Sequence, residues 1–184
     1  SAFLLIRSSD LLVTCWMASN LKTTHYADGR EITNIYKYYY EGAPNVEENV
    51  SIYGLLYDWY DALDVTRPTR SIRVQGICPD GWYLPNEEDF EQLNTIPVTD
   101  LRSTNYWMIN PGTNATNYDL RPAGMFNHTT NRYENLHGNA YLWSTSEINS
   151  TEAHCHMADC NCYMIYDLIY NKMNAFSVRC VRGE

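Results

Sequence analysis

The sequence predicts an α+β fold, in which short strands alternate with two helices, on three observations. Two apolar runs near the start, residues 3–6 and 11–13, flank the polar residues 8–10, which is the pattern of a β-hairpin. Two later segments have the pattern of helices. The stretch from 97 to 141 is rich in Asn, Thr, Gly and Tyr, which is typical of loops and short strands.

The first helix is predicted within residues 53–63. Residues 41–51 are polar and include a glycine and a proline, so they predict a loop before it. Apolar side chains then recur at helical spacing: Leu55, Leu56, Trp59 and Leu63.

The second helix is predicted to begin after Asn86. An asparagine at this place can accept a hydrogen bond from an otherwise unpaired amide of the first turn. Three acidic residues follow, where they face the positive end of the helix dipole, and Phe90 and Leu93 face the core. The same acids could be catalytic carboxylates, but acidic first turns are ordinary helix chemistry, so we predict no catalytic residue here.

Length and charge limit the possible functions. A chain of 184 residues can bury a core, and no shift in composition divides it, so we expect a single domain over 1–184. The net charge of −9 repels phosphate backbones, which argues against nucleic-acid partners. No apolar run is long enough to span a membrane, and the first residues do not resemble a signal peptide, so we expect no membrane insertion of this domain and an export signal outside the given chain.

Six cysteines do not define a disulfide framework in a chain of this size. Their positions favour one pair, Cys78 with Cys180, which would join the middle of the chain to its end and indicate an oxidising compartment. Six reduced thiols remain the alternative at this point.

The segment 141–174 has the composition of a binding surface. Tyrosine offers a large, stiff contact area with a polar tip, and Asn, Asp and His add short polar groups, which is the mixture found in paratopes. The candidate ligand-binding residues are Tyr141, His154, His156, Asp159, Asn161, Tyr163, Tyr166, Asp167 and Tyr170. A metal cluster of the two histidines with Cys155, Cys160 and Cys162 is the alternative, but the spacing fits no closed zinc pattern, so we predict neither metal nor cofactor.

Five motifs carry a family resemblance: TCWMASNLKTTHYADG, YGLLYDWYDA, GICPDGWYLPNEEDFEQL, LWSTSE and AFSVRCVR. In order and separation they resemble the Fibrobacter succinogenes major paralogous domain, over nearly the whole chain. The family is similar to C-type lectin-like domains and, more distantly, to the formylglycine-generating enzyme. The resemblance implies a C-type lectin-like fold with two helices around a small antiparallel sheet and long irregular loops. It also places Cys78 and Cys180 on family cysteines, which supports one bridge, and leaves Cys155, Cys160 and Cys162 at varied positions.

Family members are typically exported proteins, including lipoproteins and pilus-tip adhesins, and some are variable proteins of diversity-generating retroelements. Mutagenesis at the adenines of an AAC-type codon reaches Asn, Tyr, His, Asp, Cys, Ser and Ile, but not Lys, Glu, Gln, Met or Trp. Apart from methionine, residues 154–170 are drawn from the reachable set. The segment is therefore predicted to be a diversified binding face.

The resemblance implies a non-enzymatic ligand-binding or adhesion domain at the cell surface or outside the cell, within a larger surface protein or pilus. Its partner would be a protein or glycan on another cell or host surface. A calcium lectin is not expected, because the Glu-Pro-Asn and Trp-Asn-Asp motifs are missing. Two alternatives stay open. One is a metal-dependent oxidase like the formylglycine-generating enzyme, because the separation of Cys155 and Cys160 resembles that of the enzyme's active cysteine pair. The other is a structural subunit of a surface appendage.

A division between core and binding face follows from this hypothesis. We expect five aromatic residues to be buried: Trp16, Trp59, Trp82, Trp143 and Phe176. We expect the candidate residues from His154 to Tyr170 to form one exposed patch, joined by Tyr141 from the preceding strand. The loops at 36–40 and 106–118, which are rich in aromatic residues, are the alternative places for a site.

Overall fold

The computed structural model describes residues 3–7, 13–36, 46–66 and 73–183. Within them the helices are α1 (Val46–Tyr53), α2 (Trp59–Leu63), α3 (Glu87–Leu93) and α4 (Val98–Leu101). The strands are β1 (Phe3–Arg7), β2 (Val13–Met17), β3 (Ile35–Tyr36), β4 (Leu56–Tyr57), β5 (Met125–Asn127), β6 (Arg132–Glu134), β7 (Asn139–Glu147), β8 (Glu152–Asp159), β9 (Tyr166–Asn171) and β10 (Val181–Gly183). Short helices occur together with small antiparallel sheets, which is consistent with an α+β fold.

The described strands form four small antiparallel sheets, in the orders β1-β2-β10, β3-β4, β5-β6 and β7-β8-β9. The predicted N-terminal hairpin is present, with Phe3 opposite Met17. On the other side of β2, Val181 lies opposite Trp16, so the first and last strands belong to one sheet. No described helix has the length and apolar character that a membrane crossing needs.

Two predictions on the first helix were wrong. Helix α1 begins at Val46, inside the stretch that we predicted to be a loop; residues 41–45 of that stretch lie outside the described residues. The apolar residues from 53 to 63 do not form one helix, because the chain leaves α1 at Gly54 with a φ of +79°. A Cβ at Gly54 would lie 2.7 Å from the carbonyl oxygen of Leu21, so only glycine fits this close approach.

Helix α2 starts only after the short strand β4. Its N-cap is Asp58, whose side chain accepts a hydrogen bond from the amide of Asp61 at 2.8 Å. The helix ends at Asp64 in the left-handed conformation, with a φ of +53°. Spacing of apolar residues alone predicted a helix through this region, because a buried strand followed by a short buried helix gives a similar pattern.

The second helix was predicted correctly. Asn86 caps α3 by accepting from the amide of Asp89, and the Asp89 carboxylate accepts from the amide of Asn86. Arg73 forms an ion pair with the same carboxylate. Phe90 and Leu93 are buried, as expected. Helix α4 lies in the region predicted to hold only loops and short strands. Its N-cap is Pro97, which makes no side-chain hydrogen bond to the helix, so the sequence carries no capping pattern at this place.

The core surrounds residues 175–181, which run between the sheets. Phe176 bridges to Tyr57, and Ser177 bridges to Leu142 of β7. All five aromatic residues predicted to be core are buried: Trp16, Trp59, Trp82, Trp143 and Phe176. Two of the indoles also hold the layers together, since the Nε1 of Trp143 donates to the carbonyl of Tyr57 and that of Trp59 to the carbonyl of Ser144.

The predicted disulfide between Cys78 and Cys180 is present, with 5.9 Å between the two Cα atoms. It joins the segment before α3 to the start of β10, across a sequence separation of 102 residues. The bridge is fully buried at both cysteines.

Candidate binding face

The sheet β7-β8-β9 carries most of the candidate residues. Successive side chains of a strand point to opposite faces, so His154 and His156 share one face of β8, while Cys155 and Met157 share the other. Both faces are covered over β7 and β8, one by the cluster that includes Trp143 and the other by the cluster around Phe90. Among the described residues β9 pairs only with β8, so it forms the outer edge of the sheet.

The candidate residues fall into three groups by burial. Asn161, Tyr163, Tyr166 and Asp167 are exposed, whereas His154, Asp159 and Tyr170 are half-buried. Tyr141 and His156 are buried, with 3% and 4% of their surface exposed. The expectation of one exposed patch was therefore wrong for these two residues. Among the remaining candidates, Tyr166, Asp167 and Tyr170 lie on both faces of the edge strand. His154 and Asp159 lie on β8, and Asn161 and Tyr163 lie in the turn between the two strands.

Tyr141 is buried because it belongs to the aromatic core. Its ring stacks on Phe176 with 5.1 Å between centroids, and Tyr170 packs edge-on against it at 5.9 Å. Its hydroxyl accepts hydrogen bonds from the side-chain amides of Asn135 and Asn139 at 2.9 and 3.0 Å. Burial raises the pKa of this phenol well above its ordinary value. The residue supports the sheet from within.

His156 is buried because it packs under helix α3. Its ring stacks on Phe90 with 3.6 Å between centroids, and its Nε2–H donates to Oε2 of Glu87 at 3.0 Å. In the sheet, His156 lies opposite Leu142 of β7. The imidazole therefore lies between the sheet and helix α3. A candidate ligand-binding residue is thus part of the contact that holds α3 in place.

The three cysteines of the segment do not share one environment. Cys155 is buried in the cluster with Trp143, whereas Cys162 is buried in the cluster with Phe90, where its Sγ donates to the carbonyl of Asp159 at 3.2 Å. Burial raises the pKa of both thiols, so neither is a ready thiolate. Cys160 is half-buried. This distribution argues against the alternative of a soft-metal cluster.

The turn between β8 and β9 is held at both ends. After Asp159, whose carboxylate accepts from the amide of Asn161 at 2.7 Å, the chain buries Cys162 and then Ile165. Asn94, at the end of α3, donates to the carbonyl of Ile165 at 3.0 Å and accepts from its amide at 2.9 Å. The two residues between these buried anchors, Tyr163 and Met164, point into solvent.

Large apolar side chains are exposed along this edge. Of the ten that are exposed in the described ranges, five lie between 163 and 173. We call this set the exposed edge: Tyr163, Met164, Tyr166, Ile169 and Met173. Tyr163 is the most exposed, at 89%. A concentration of exposed apolar side chains is characteristic of an interaction site.

A second loop adjoins the turn. Asn110 donates its side-chain amide to Oδ1 of Asn161 at 3.1 Å, and the neighbouring Met108 and Ile109 are exposed. This loop belongs to the region that we considered as an alternative site, so the structure brings part of it to the candidate segment. Tyr36 ends β3, and residues 37–40 of the other alternative lie outside the described residues.

Acidic and histidine side chains meet beside the edge strand. His154 Nδ1 lies 2.7 Å from Oδ1 of Asp167 on β9, and Glu87 lies close enough that one ligand atom from each of these three residues falls within 4.8 Å of the others. Ser144 donates to the second carboxylate oxygen of Glu87 at 2.5 Å.

The carboxyl of Glu87 is held in its ionised form. Partial burial by itself raises its pKa, but hydrogen bonds from His156 and Ser144, with the charges of His156 and His154, lower the pKa to about 2. From the sequence, Glu87 was predicted only to be an acidic residue in the first turn of the helix. No local pattern could have added the second role, because its partner His156 lies 69 residues further along the chain.

Comparison with known proteins identifies one family. The family model described as the Fibrobacter succinogenes major domain matches residues 13–182, which is most of the chain. None of the curated proteins that were compared with the chain matches it. The match covers the core, the disulfide and the whole of the sheet that carries the candidate residues.

Proposed function

The chain belongs to the Fibrobacter succinogenes major domain family, and from this premise we propose that it is a non-enzymatic ligand-binding or adhesion domain with a diversified C-terminal binding face. The proposed face consists of the exposed edge together with the exposed polar residues Asn161 and Asp167. His154, Asp159 and Tyr170 border it, and Tyr141 and His156 support it from the core.

One observation carries the proposal: the turn at 160–165 presents two large side chains between buried anchors. Because Cys162 and Ile165 are buried and Asn94 holds the backbone of Ile165, the positions of Tyr163 and Met164 are fixed before a ligand arrives. Binding by fixed side chains loses less conformational entropy than binding by a mobile loop. Matured antibody paratopes are pre-organised for binding in the same way.

Apart from Met164 and Met173, the residue types of the face agree with a retroelement-type variable protein. Tyrosine, asparagine, aspartate and histidine are all reachable by change at the adenines of an AAC-type codon. Tyr166, Asp167 and Ile169 project from the edge strand β9, whose backbone is held by β8, so one residue can replace another there without disturbing the core. A search of the coding DNA for a near-repeat of this segment beside a reverse transcriptase tests this part of the proposal.

We further infer a C-type lectin-like fold and an extracellular or cell-surface location. Small antiparallel sheets, short helices and long irregular connections support the fold. The buried disulfide supports an oxidising compartment. The proposed partner is a protein or glycan on another cell or host surface, and the domain would form part of a larger surface protein or pilus.

The enzymatic alternative has less support. An oxidase that works through a cysteine pair needs a reactive thiolate at an accessible place. Cys155 is fully buried, and burial raises its pKa well above the ordinary value. The third hypothesis is a structural subunit of an appendage. It predicts that ligand binding does not change when the segment is exchanged.

An exchange of segments between two family members with different ligands tests the proposal. Residues 161–170 of a relative replace those of this chain, while Cys162 and Ile165 are kept so that the anchors remain. We expect the graft to bind the relative's ligand and to lose the original one. Within the native face, Tyr163→Ala and Tyr166→Ala should each weaken binding by roughly 2 kcal/mol, or about thirtyfold, because aromatic residues dominate such interfaces.

A matched graft of residues 106–110 serves as the control, because this loop adjoins the turn but lies outside the varied segment. Its exchange should leave ligand preference unchanged. If the folded 161–170 graft keeps the original ligand, the binding face lies elsewhere on the frame. If ligand preference follows the 106–110 graft, that loop is the site.

A further inference from the structure

Three potential metal ligands converge from three elements of the fold. Glu87 stands in the first turn of α3, His154 on β8 and Asp167 on β9, and one ligand atom of each lies within 4.8 Å of the other two. In a four-coordinate zinc site with bonds of about 2.0–2.1 Å, neighbouring ligand atoms are separated by about 3.3 Å. Small rotations of these side chains would reach that separation.

The carboxylate of Glu87 is positioned by residues behind it. Ser144 donates to one oxygen, and the Nε2–H of His156 donates to the other. Both positioning residues are buried, and within the described residues the remaining ring nitrogen of His156 has no hydrogen-bond partner. A carboxylate oxygen has two lone pairs, so each oxygen of Glu87 can still accept a metal ion. Oriented outer partners of this kind are what metal ligands require.

We propose that Glu87, His154 and Asp167 form a binding site for a divalent transition-metal ion of the zinc class. One imidazole nitrogen with two carboxylate oxygens is a borderline donor set that suits Zn²⁺ and its neighbours. Calcium is a poor fit, because it takes six to eight oxygen ligands. On binding, the hydrogen bond between His154 and Asp167 is replaced by two bonds to the ion, and any proton that a ligand atom holds passes to solvent.

The site faces solvent, which leaves a coordination position open. The side chains of Glu87, His154 and Asp167 are 34%, 21% and 49% exposed. A zinc ion held by three protein ligands binds a water molecule or an oxygen of an incoming ligand at its fourth position. Two of the three ligands come from the varied segment, so the metal site is a property of this chain's sequence there. The site does not depend on the proposed adhesion function, because metal uptake is measured without any protein or glycan.

Titration calorimetry of the purified, disulfide-bonded chain with Zn²⁺ tests the site, with Co²⁺ as a spectroscopic probe of the ligand set. We expect saturable uptake of a single ion and a rise in thermal stability with Zn²⁺. His154→Ala and Asp167→Asn should each abolish this uptake or weaken it by tenfold or more. Ser144→Ala should weaken it by about tenfold, because it removes only an outer partner.

Two control variants identify the ligands. His128→Ala removes a half-buried histidine outside the cluster, and Cys160→Ser removes a half-buried thiol; neither should change uptake. Near-ultraviolet circular dichroism checks that each variant is folded, and Asp167→Asn, on the edge strand, is the mildest change. Uptake that survives both ligand substitutions in folded protein, or that is lost with Cys160→Ser, overturns the site. Saturation by Ca²⁺ over the same concentration range overturns the choice of ion class.

Discussion

Asp58 is a carboxylate that the fold keeps from water. It caps α2 and is 7% exposed. Burial, with a smaller contribution from the charge of Asp61, raises its pKa from 3.8 to about 6. The folded state therefore takes up a proton at higher pH than the unfolded state does. As the pH falls from about 7 to about 4, this group adds to the stability of the folded protein, and as the pH rises it subtracts from it.

Asp58→Asn tests this sign, because asparagine is an equally good N-cap that does not titrate. We expect the wild-type protein to gain stability relative to the variant as the pH is lowered from 7 to 4. Urea unfolding of both proteins at a series of pH values measures the difference. A difference that stays constant with pH would show that Asp58 is not protonated in the folded state in this range.

Tyr163 and Trp143 represent the two kinds of aromatic residue in this chain. Trp143 is fully buried and donates to the carbonyl of Tyr57, whereas Tyr163 is 89% exposed. Trp143→Ala should lower the free energy of unfolding by roughly 3–5 kcal/mol, and Tyr163→Ala by less than about 1 kcal/mol. Denaturant titration measures both. Similar losses would mean that the turn at 160–165 is part of the core.

Residue type predicted burial well for the tryptophans and poorly for the candidate residues between 141 and 170. Burial of a large aromatic ring is favourable, so the burial of the four predicted tryptophans and of Phe176 followed from their chemistry. Tyrosine and histidine suit either place. Tyr141 and His156 are buried because Phe176 and Phe90 happen to face them, and these contacts join residues that are far apart in the sequence.

Helix α3 depends on its cap. The reciprocal hydrogen bonds of Asn86 and Asp89 satisfy two amides of the first turn. Asn86→Ala should lower the free energy of unfolding by about 1 kcal/mol, whereas Asn86→Ser keeps an acceptor and should cost less. Thermal or denaturant unfolding of the two variants provides the comparison. An equal loss in both would assign the effect to packing around residue 86 rather than to the cap.

The end of the same helix holds the candidate turn. Asn94 makes both hydrogen bonds of the Ile165 backbone to this helix. Asn94→Ala should therefore speed hydrogen exchange at the amide of Ile165 and lower the free energy of unfolding by roughly 1–3 kcal/mol. Asn94→Asp keeps the acceptor and should protect that amide better than alanine does. Unchanged exchange in the alanine variant would mean that another contact fixes the turn.

Helix α3 was predictable from the residues at its start, whereas helix α4 and the break before α2 were not. Asn86 followed by three acids marked α3 with a mechanism. Helix α4 begins at Pro97 without a side-chain cap, and the break at Gly54 depends on the backbone of Leu21, which no local pattern contains. The pairing of β9 with β8 likewise depends on the turn at 160–165, where Asn94 at the end of α3 holds the backbone of Ile165.

The disulfide joins two distant parts of the chain, and this connection stabilises the fold mainly through the unfolded state. For a loop of the size that Cys78 and Cys180 enclose, loss of chain entropy predicts about 4 kcal/mol of stabilisation. Replacing both residues by alanine should remove about this amount, as measured by unfolding in denaturant. A loss below about 1 kcal/mol would show that the unfolded chain is already restricted without the bridge.

The α+β class and the bridge were predicted from the sequence, and the family motifs supported the bridge because Cys78 and Cys180 fall within two of them. The arrangement of the binding segment was less accessible, since two of its nine candidate residues support the core instead. Which of the candidate residues on β8 reach solvent depends on how its side chains alternate between two covered faces. That alternation fixes His156 inward and leaves the ends of β9 outward.

The bridge also determines what happens to a chain that is cut. Residues 79 to 179, including the exposed turn at Tyr163, lie inside the covalent ring closed by Cys78 and Cys180. A protease that cleaves the turn once therefore produces two polypeptides that stay joined. The nicked protein should migrate as one band without reductant and as two bands with it. A domain built in this way can lose the continuity of this exposed turn and still keep both fragments.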